Sequence, residues 1–177
     1  MTTLGREAKE PRTAMAGRPS RRASATASGD IVGDVEELYR TEATKLSRSL
    51  FGYSASRSIT EDAVAESFTQ LLRRGAEVRD PRAWVWRTAF RVAAGELQRQ
   101  RRTANELLVD LVTHEPDDML DMVAALQTLS EMQRKAVVLH DYAGHRAAEV
   151  ARMIGSTEAA VRVHLMRGRR RLRDQLA

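Results

Sequence analysis

From Asp34 onward the apolar residues of this chain recur every three or four positions, and nowhere do they alternate with polar ones for the length of a strand. Such a chain folds into helices that each bury one stripe, so the expected fold class is all-α. Leu38, Leu46, Leu50 and Phe51 mark a first amphipathic helix, which Phe51-Gly52-Tyr53-Ser54 ends. Thr60 is the expected cap of a second helix, with Glu61 and Asp62 in a first turn whose dipole favours anions. Val64, Phe68, Leu71 and Leu72 form its apolar stripe, and Gly75 its C-terminal stop. Asp80-Pro81 opens a third helix expected to reach Arg102, because Pro at the first helical position lacks only an N–H that has no partner there.

Residues 103–124 read as a linker with a short helical piece at 106–112. Glu115-Pro116-Asp117-Asp118 interrupts it, since the residue before Pro is pushed out of helical geometry. Ser130-Glu131-Met132-Gln133 has the form of a capping box and opens the first of three further helices, expected at 131–141, 146–154 and 157–175. Residues 1–33 contain no aromatic and few branched apolar side chains, too little to offset the entropy of ordering. The expected organisation is therefore a disordered basic tail (1–33), a three-helix-type domain (34–102), an acidic linker (103–125) and a C-terminal helix-turn-helix domain (126–177).

The formal net charge of +5 conceals a segregation. Residues 1–33 carry 6 basic and 3 acidic groups, and residues 34–102 carry 13 and 10. Residues 103–133 hold 7 acidic groups and no Lys or Arg, whereas residues 134–177 hold 10 basic groups against 4 acidic ones. Basic blocks on either side of an acidic one suit a polyanion partner. The chain has no Cys, which removes disulfides, thiolate zinc sites and thiol nucleophiles. Its His residues (His114, His140, His145, His164) are scattered and form no HExxH, and there is no Gly-rich phosphate loop. No catalytic site, cofactor or metal is expected, and the chain does not read as an enzyme. No apolar run nears the ~20 residues of a membrane span, and no signal-peptide core is present, so membrane insertion is not expected and the cytoplasm is the expected location.

Two helices concentrate the basic charge. On the third helix Val85, Trp86, Ala89, Phe90, Val92, Ala93 and Leu97 share one arc, whereas Trp84, Arg87, Arg91, Gln98 and Arg102 share the opposite one, with Thr88 and Arg99 on its shoulder. Guanidinium forks hold phosphates and an interleaved ring can take an unstacked base, so this face suits a nucleic-acid strand. A solvated face with a half-buried Trp fits the same periodicity. Residues 147–161 have the organisation of a helix-turn-helix, with Gly155 at the turn and Ser156 or Thr157 able to cap the next helix. On that last helix Val161, Leu165, Gly168 and Leu172 line up inward. Ala160, His164, Arg167, Arg170 and Arg171 point outward, with Arg162 and Arg169 on the flanks. This is the layout of a recognition helix that offers its N-terminal part to base edges and its basic part to phosphates.

Four segments, in order, carry a family resemblance. Glu61-Asp62-Ala63-Val64-Ala65-Glu66-Ser67-Phe68 and Arg82-Ala83-Trp84-Val85-Trp86-Arg87-Thr88-Ala89 resemble successive helices of bacterial sigma factors of the extracytoplasmic-function (ECF) type. Leu129-Ser130-Glu131-Met132-Gln133-Arg134 resembles the LPxxQR entry to their C-terminal domain, and Gly155 to Leu172 resembles their recognition helix. The resemblance spans roughly residues 34–176. It implies a transcription initiation factor that binds core RNA polymerase and promoter DNA. Glu61, Asp62, Glu66, Phe68, Leu71 and Leu72 would dock on the polymerase, with Phe68, Leu71 and Leu72 partly serving the domain's own core.

By the same resemblance, Trp84, Arg87, Thr88, Arg91, Gln98, Arg99 and Arg102 would engage the melted −10 strand. Ser156, Thr157, Glu158, Ala160, Arg162, His164, Arg167, Arg170 and Arg171 would read the −35 element. The acid-only tether would thread polymerase channels used by RNA, imitating a transcript's charge, although a merely solvated linker fits the same composition. An anti-sigma protein is the expected inhibitor, with the two domains flexibly tethered until a partner orders them. This sequence departs from the family pattern at Arg91 (usually Asn), Arg146 (usually Ser), Arg162 (usually Lys) and His164 (usually Arg). The competing reading is a helix-turn-helix transcriptional regulator without sigma activity, which would share only the C-terminal part.

Overall fold

The structure is a computed structural model that describes residues 21–103 and 117–176, with side chains placed over 32–102 and 120–176. The helical piece expected at 106–112 lies outside the described residues. Among the described residues there are seven α-helices and no strand, as the periodicity requires.

Helix α1 spans Arg21–Ser54, so it begins well before Asp34, inside the segment expected to be a disordered tail. Arg and Ala are good helix formers, and extending an existing helix needs no new nucleus. Among the α1 residues whose side chains are described, the first buried one is Val35. The chain turns at Ala55, whose φ of 54° is left-handed. Ser56, not Thr60, then caps α2 (Arg57–Arg74), its hydroxyl oxygen accepting the Ile59 N–H at 3.3 Å. Thr60 lies one turn inside, buried, and donates its hydroxyl to the Ser56 carbonyl at 2.8 Å, the local alternative open to a helical Thr. Glu61 and Asp62 consequently fall outside the first turn. Gly75, at φ 52°, stops α2, and its N–H reaches the Leu71 carbonyl. Asp80 caps α3 (Pro81–Thr103) by accepting the Ala83 N–H at 3.0 Å.

These three helices bury Leu46, Leu50, Ile59, Ala63, Val85, Trp86 and Phe90 between them. Trp86 is wholly buried, and its indole N–H donates to Glu42 Oε2 at 2.9 Å. Glu42 also accepts from Arg82 at 2.7 Å. Burial alone would raise the Glu42 pKa, but the bonds from Arg82 and Trp86 outweigh it and hold the carboxyl below its usual range.

The linker ends earlier than expected. Helix α4 (Asp117–Gln127) starts directly after Pro116 and buries Val123, Ala125 and Leu126. The charge count over 103–133 hides this apolar stripe. Ser130 and Gln133 form the expected reciprocal capping box at the head of α5 (Glu131–Val137), which passes into a wider turn at Val138–Tyr142. Helices α6 (Ala147–Ile154) and α7 (Glu158–Leu176) complete the chain.

One continuous core includes buried residues from both of the halves expected as separate domains. Leu126 and Val138 close on Gly52, where a Cβ would lie 3.4 Å from Leu126 and 3.8 Å from Val138. Gln127 donates to the Gly52 carbonyl at 3.2 Å, and the Tyr53 hydroxyl to Glu131 at 3.2 Å. A C-terminal domain of ~50 residues buries little surface alone, and packing against α1 supplies part of the deficit.

Candidate nucleic-acid and polymerase interfaces

The helix-turn-helix is built as the spacing predicts. Gly155 adopts φ 67° and ψ 43°, a left-handed stop to α6, with its N–H on the Ala151 carbonyl. Thr157, rather than Ser156, caps α7, accepting the Ala160 N–H at 3.1 Å. Arg146 stands at the N-cap of α6 without an acceptor in its side chain, and Glu149 accepts the Arg146 backbone N–H at 2.8 Å, one half of a capping box. Val161, Leu165 and Gly168 face inward. At Gly168 a Cβ would lie 2.9 Å from Val137 Cγ2, so only glycine lets α7 approach α5 this closely.

The outer face of α7 differs in detail from the expectation. Arg167, Arg170 and Arg171 are exposed, but Ala160 and His164 are half-buried. Arg162 pairs with Glu158, and Arg169 is held by two bonds to Asp141, one of 2.9 Å, which raises its pKa. Val163 and Met166, 40% and 64% exposed, stand on this face and were not among the expected contacts. The 3.6-residue period could have found them, since it sets Val163 opposite the Val161–Leu165 stripe.

On α3 the exposed row is Arg87, Arg91, Gln98 and Arg102. Trp84 is half-buried with the Arg74 guanidinium 5.9 Å above its ring, and Arg99 pairs with Glu96. Thr88 is only 3% exposed, so it belongs to the core and cannot touch a strand. Trp84 and Arg87 line a cleft of about 530 Å³ whose far wall is Glu149, Arg152 and Met153 of α6. On α2, Glu61 and Asp62 are exposed, Glu66 is half-buried and accepts from Gln70 at 2.6 Å, and Leu72 is exposed. Phe68 and Leu71 are buried, so they act as core and not as docking contacts. Tyr39, exposed on α1 and edge-on to Phe68 at 5.0 Å, was missed. Its place directly after the stripe residue Leu38 disguised it.

Three buried polar groups occupy the junction between the halves. Arg134 is buried, which lowers its pKa, and its guanidinium lies 5.4 Å above the Tyr53 ring. Burial, reinforced by Glu131, pushes the Tyr53 phenol well above its usual range. His145 packs edge-on against Trp86, with ring centres 4.5 Å apart, and its pKa is lowered by burial and then by Arg82. Among the described residues no group of side chains could hold a metal ion, and no helix is long and apolar enough to cross a membrane.

Comparison with known proteins agrees with this architecture. Residues 119–172 match the family model of Sigma-70, region 4. The ECF RNA polymerase sigma factor SigE of Mycolicibacterium smegmatis is 27% identical over 90% of this chain and 70% of its own. SigM of Mycobacterium tuberculosis is 25% identical over 92% of this chain and 88% of its own. The sigma factor RpoE, solved in complex with the anti-sigma factor NepR from Bartonella quintana, shares the fold. Its TM-score is 0.70 at 18% identity, covering 81% of this chain and 96% of that one. CnrH, solved in complex with the cytosolic domain of CnrY, has a TM-score of 0.67 at 19% identity, covering 88% of this chain and 96% of that one. A regulator sharing only the helix-turn-helix is not favoured, because the matches run through α1–α3 as well. Region-4 similarity at one end and sigma-factor relatives along nine-tenths of the sequence lead to one conclusion: the chain is similar in sequence and fold to sigma factors of the extracytoplasmic-function type.

Proposed function

We propose that α1–α3 bind core RNA polymerase and the −10 element while α4–α7 read the −35 element, so that one chain recruits polymerase to promoters and helps to melt them. The observation carrying this reading is the pair of exposed arginine rows, Arg87–Arg91–Arg102 on α3 and Arg167–Arg170–Arg171 on α7, held on two different helical units. Glu61, Asp62 and Leu72, with Tyr39 packed edge-on against Phe68, offer the charged and apolar contacts for polymerase. Arg87, Arg91, Gln98 and Arg102 grip the displaced strand. Trp84 takes an unstacked base, and stacking worth ~1–3 kcal/mol offsets part of the few kcal/mol that extrusion costs. Thr157, Arg167, Arg170 and Arg171 engage the −35 duplex, and Val163 and Met166 present apolar surface to thymine methyl groups.

The chain acts by binding rather than by catalysing a reaction, in the cytoplasm where polymerase works. An anti-sigma protein is a fitting partner, since RpoE, which shares this fold, was solved in complex with the anti-sigma factor NepR. The acid-only segment 103–133 imitates the charge of a transcript within polymerase. Gel filtration of the chain with purified core polymerase tests the recruiting step. Co-elution at moderate salt is expected, and separate elution would reject the reading.

A further inference from the structure

We propose that the cleft between α3 and α6 is a binding site for a small anion with a flat ring, namely a purine nucleoside carrying two or more phosphate groups. The site shares Trp84 and Arg87 with the strand-binding face but does not depend on that role, because its second wall comes from α6. Three observations carry it.

The first is the unpaired positive charge. Arg79 stands in the turn before α3, Arg87 on α3 and Arg152 on α6, so three separate elements bring a guanidinium to one space. All three are exposed and make no ion pair among the described residues. Other charges of the lining are already committed. Arg82 donates to Glu42 at 2.7 Å, Asp80 accepts the Ala83 N–H, and Glu149 accepts the Arg146 N–H. Guanidinium forks match phosphate oxygens, and several of them together suit a chain of phosphates better than a lone carboxylate.

The second observation is an apolar lining in the same cleft. Trp84, Val78 and Met153 are each half-buried there, and the Arg74 guanidinium lies 5.9 Å from the Trp84 ring centre. An indole and a thioether offer polarizable surface to the flat face of a base. A purine covers more of that surface than a pyrimidine does. The cleft's volume of about 530 Å³ falls within the ~300–1,000 Å³ of small-molecule sites, which is room for one nucleotide.

The third is a polar atom left without a partner. His145 lines the cleft and is only 3% exposed, and its Nε2 has no hydrogen-bond partner among the described residues. Buried polar atoms are ordinarily satisfied, and a ribose hydroxyl or a base nitrogen in the cleft supplies what this one lacks.

Calorimetric titration of the full chain at low salt, without magnesium, tests the site with GTP, CTP and inorganic pyrophosphate as probes. One GTP per chain is expected, with CTP about fivefold weaker and pyrophosphate at least about tenfold weaker. Arg79→Ala and Arg152→Ala, both at exposed positions, should each weaken GTP about tenfold. Neither belongs to the strand-binding row, so both should leave the anisotropy-measured affinity for oligo(dT) of about 15 nucleotides unchanged. Arg91→Ala with Arg102→Ala, outside the cleft, should do the reverse. Trp84→Leu should erase the preference for GTP over pyrophosphate, and the exposed arginine variants decide the matter if that change disturbs folding. A parent that binds GTP no tighter than pyrophosphate overturns the proposal, as does a GTP affinity that Arg152→Ala leaves unchanged. If the Arg91→Ala, Arg102→Ala pair weakens GTP as much as Arg152→Ala does, the nucleotide rides on the open face of α3 and the cleft is not its site. Failure of oligo(dT) to bind the parent rejects the strand-binding row while the GTP result stands, and co-elution with polymerase is independent of both.

Discussion

Replacing Arg167, Arg170 and Arg171 together by Ala should flatten the salt dependence of duplex binding by a calculable amount. All three are exposed and make no ion pair among the described residues, whereas Arg162 is paired with Glu158 and Arg169 with Asp141. The free arginines are therefore the ones available to displace counterions. Each phosphate contact contributes ~0.9 to the slope of log K against log salt, so three contribute ~2.7. Between ~50 and ~200 mM salt the parent should lose ~40-fold more affinity than the triple variant. Anisotropy titrations of the full chain with a labelled duplex across that range measure the slope. Arg169→Ala serves as the internal contrast, because its guanidinium is already occupied by Asp141 and should change the slope far less. If the triple variant alters the slope by less than ~1, or if Arg169→Ala alters it as much, the outer face of α7 does not lie along the phosphates as argued.

Other consequences follow from burial and titration. Leu165→Ala, at a position only 4% exposed, should cost ~2–5 kcal/mol and lower the melting temperature by ~4–20 °C in calorimetry. The His145 pKa is lowered in the folded chain, so the unfolded chain binds the proton more readily. Stability should be complete above the unfolded value of ~6.5 and decline as pH falls through it, and His145→Phe should flatten Tm between about pH 7 and pH 5.5. Glu42 and Glu131, whose pKa values are also lowered, weaken the fold only at more acidic pH, near and below the ~4.3 of an unfolded Glu. Val163→Ser with Met166→Ala should change the sequence selected from a randomised duplex pool while altering stability by no more than ~0.5 kcal/mol per site.

Helical periodicity made the element types legible, because a stripe of apolar residues is a direct statement about which face is buried. Trp86 inward and Trp84 outward follow from that rule, as do the Gly155 turn and the Ser130–Gln133 box. Positions near the edge of a stripe were harder. Thr88 is placed on the shoulder of the arginine row by angle alone, yet three-helix packing wraps far enough to bury it. Phe68 and Leu71, expected to serve both the core and docking, are buried, and Val32, Tyr39 and Leu72 are the exposed large apolar groups described on α1 and α2. Capping at Ser56 instead of Thr60 depended on the left-handed turn at Ala55, a conformation that Ala does not advertise. The closure of the two halves was invisible for a more basic reason. Periodicity says that a face is apolar but not what covers it, and the feature that admits Leu126 is a missing side chain at Gly52.

The most direct test of the sigma assignment is run-off transcription with core polymerase freed of other sigma factors, using templates drawn from the source genome. Adding this chain should produce transcripts with discrete 5′ ends, and Arg87→Ala, Arg91→Ala and Arg102→Ala combined should abolish them while the variant still co-elutes with polymerase. Failure of the chain to direct any discrete start, or starts that persist undiminished in the triple variant, would contradict the assignment and its strand-binding face respectively.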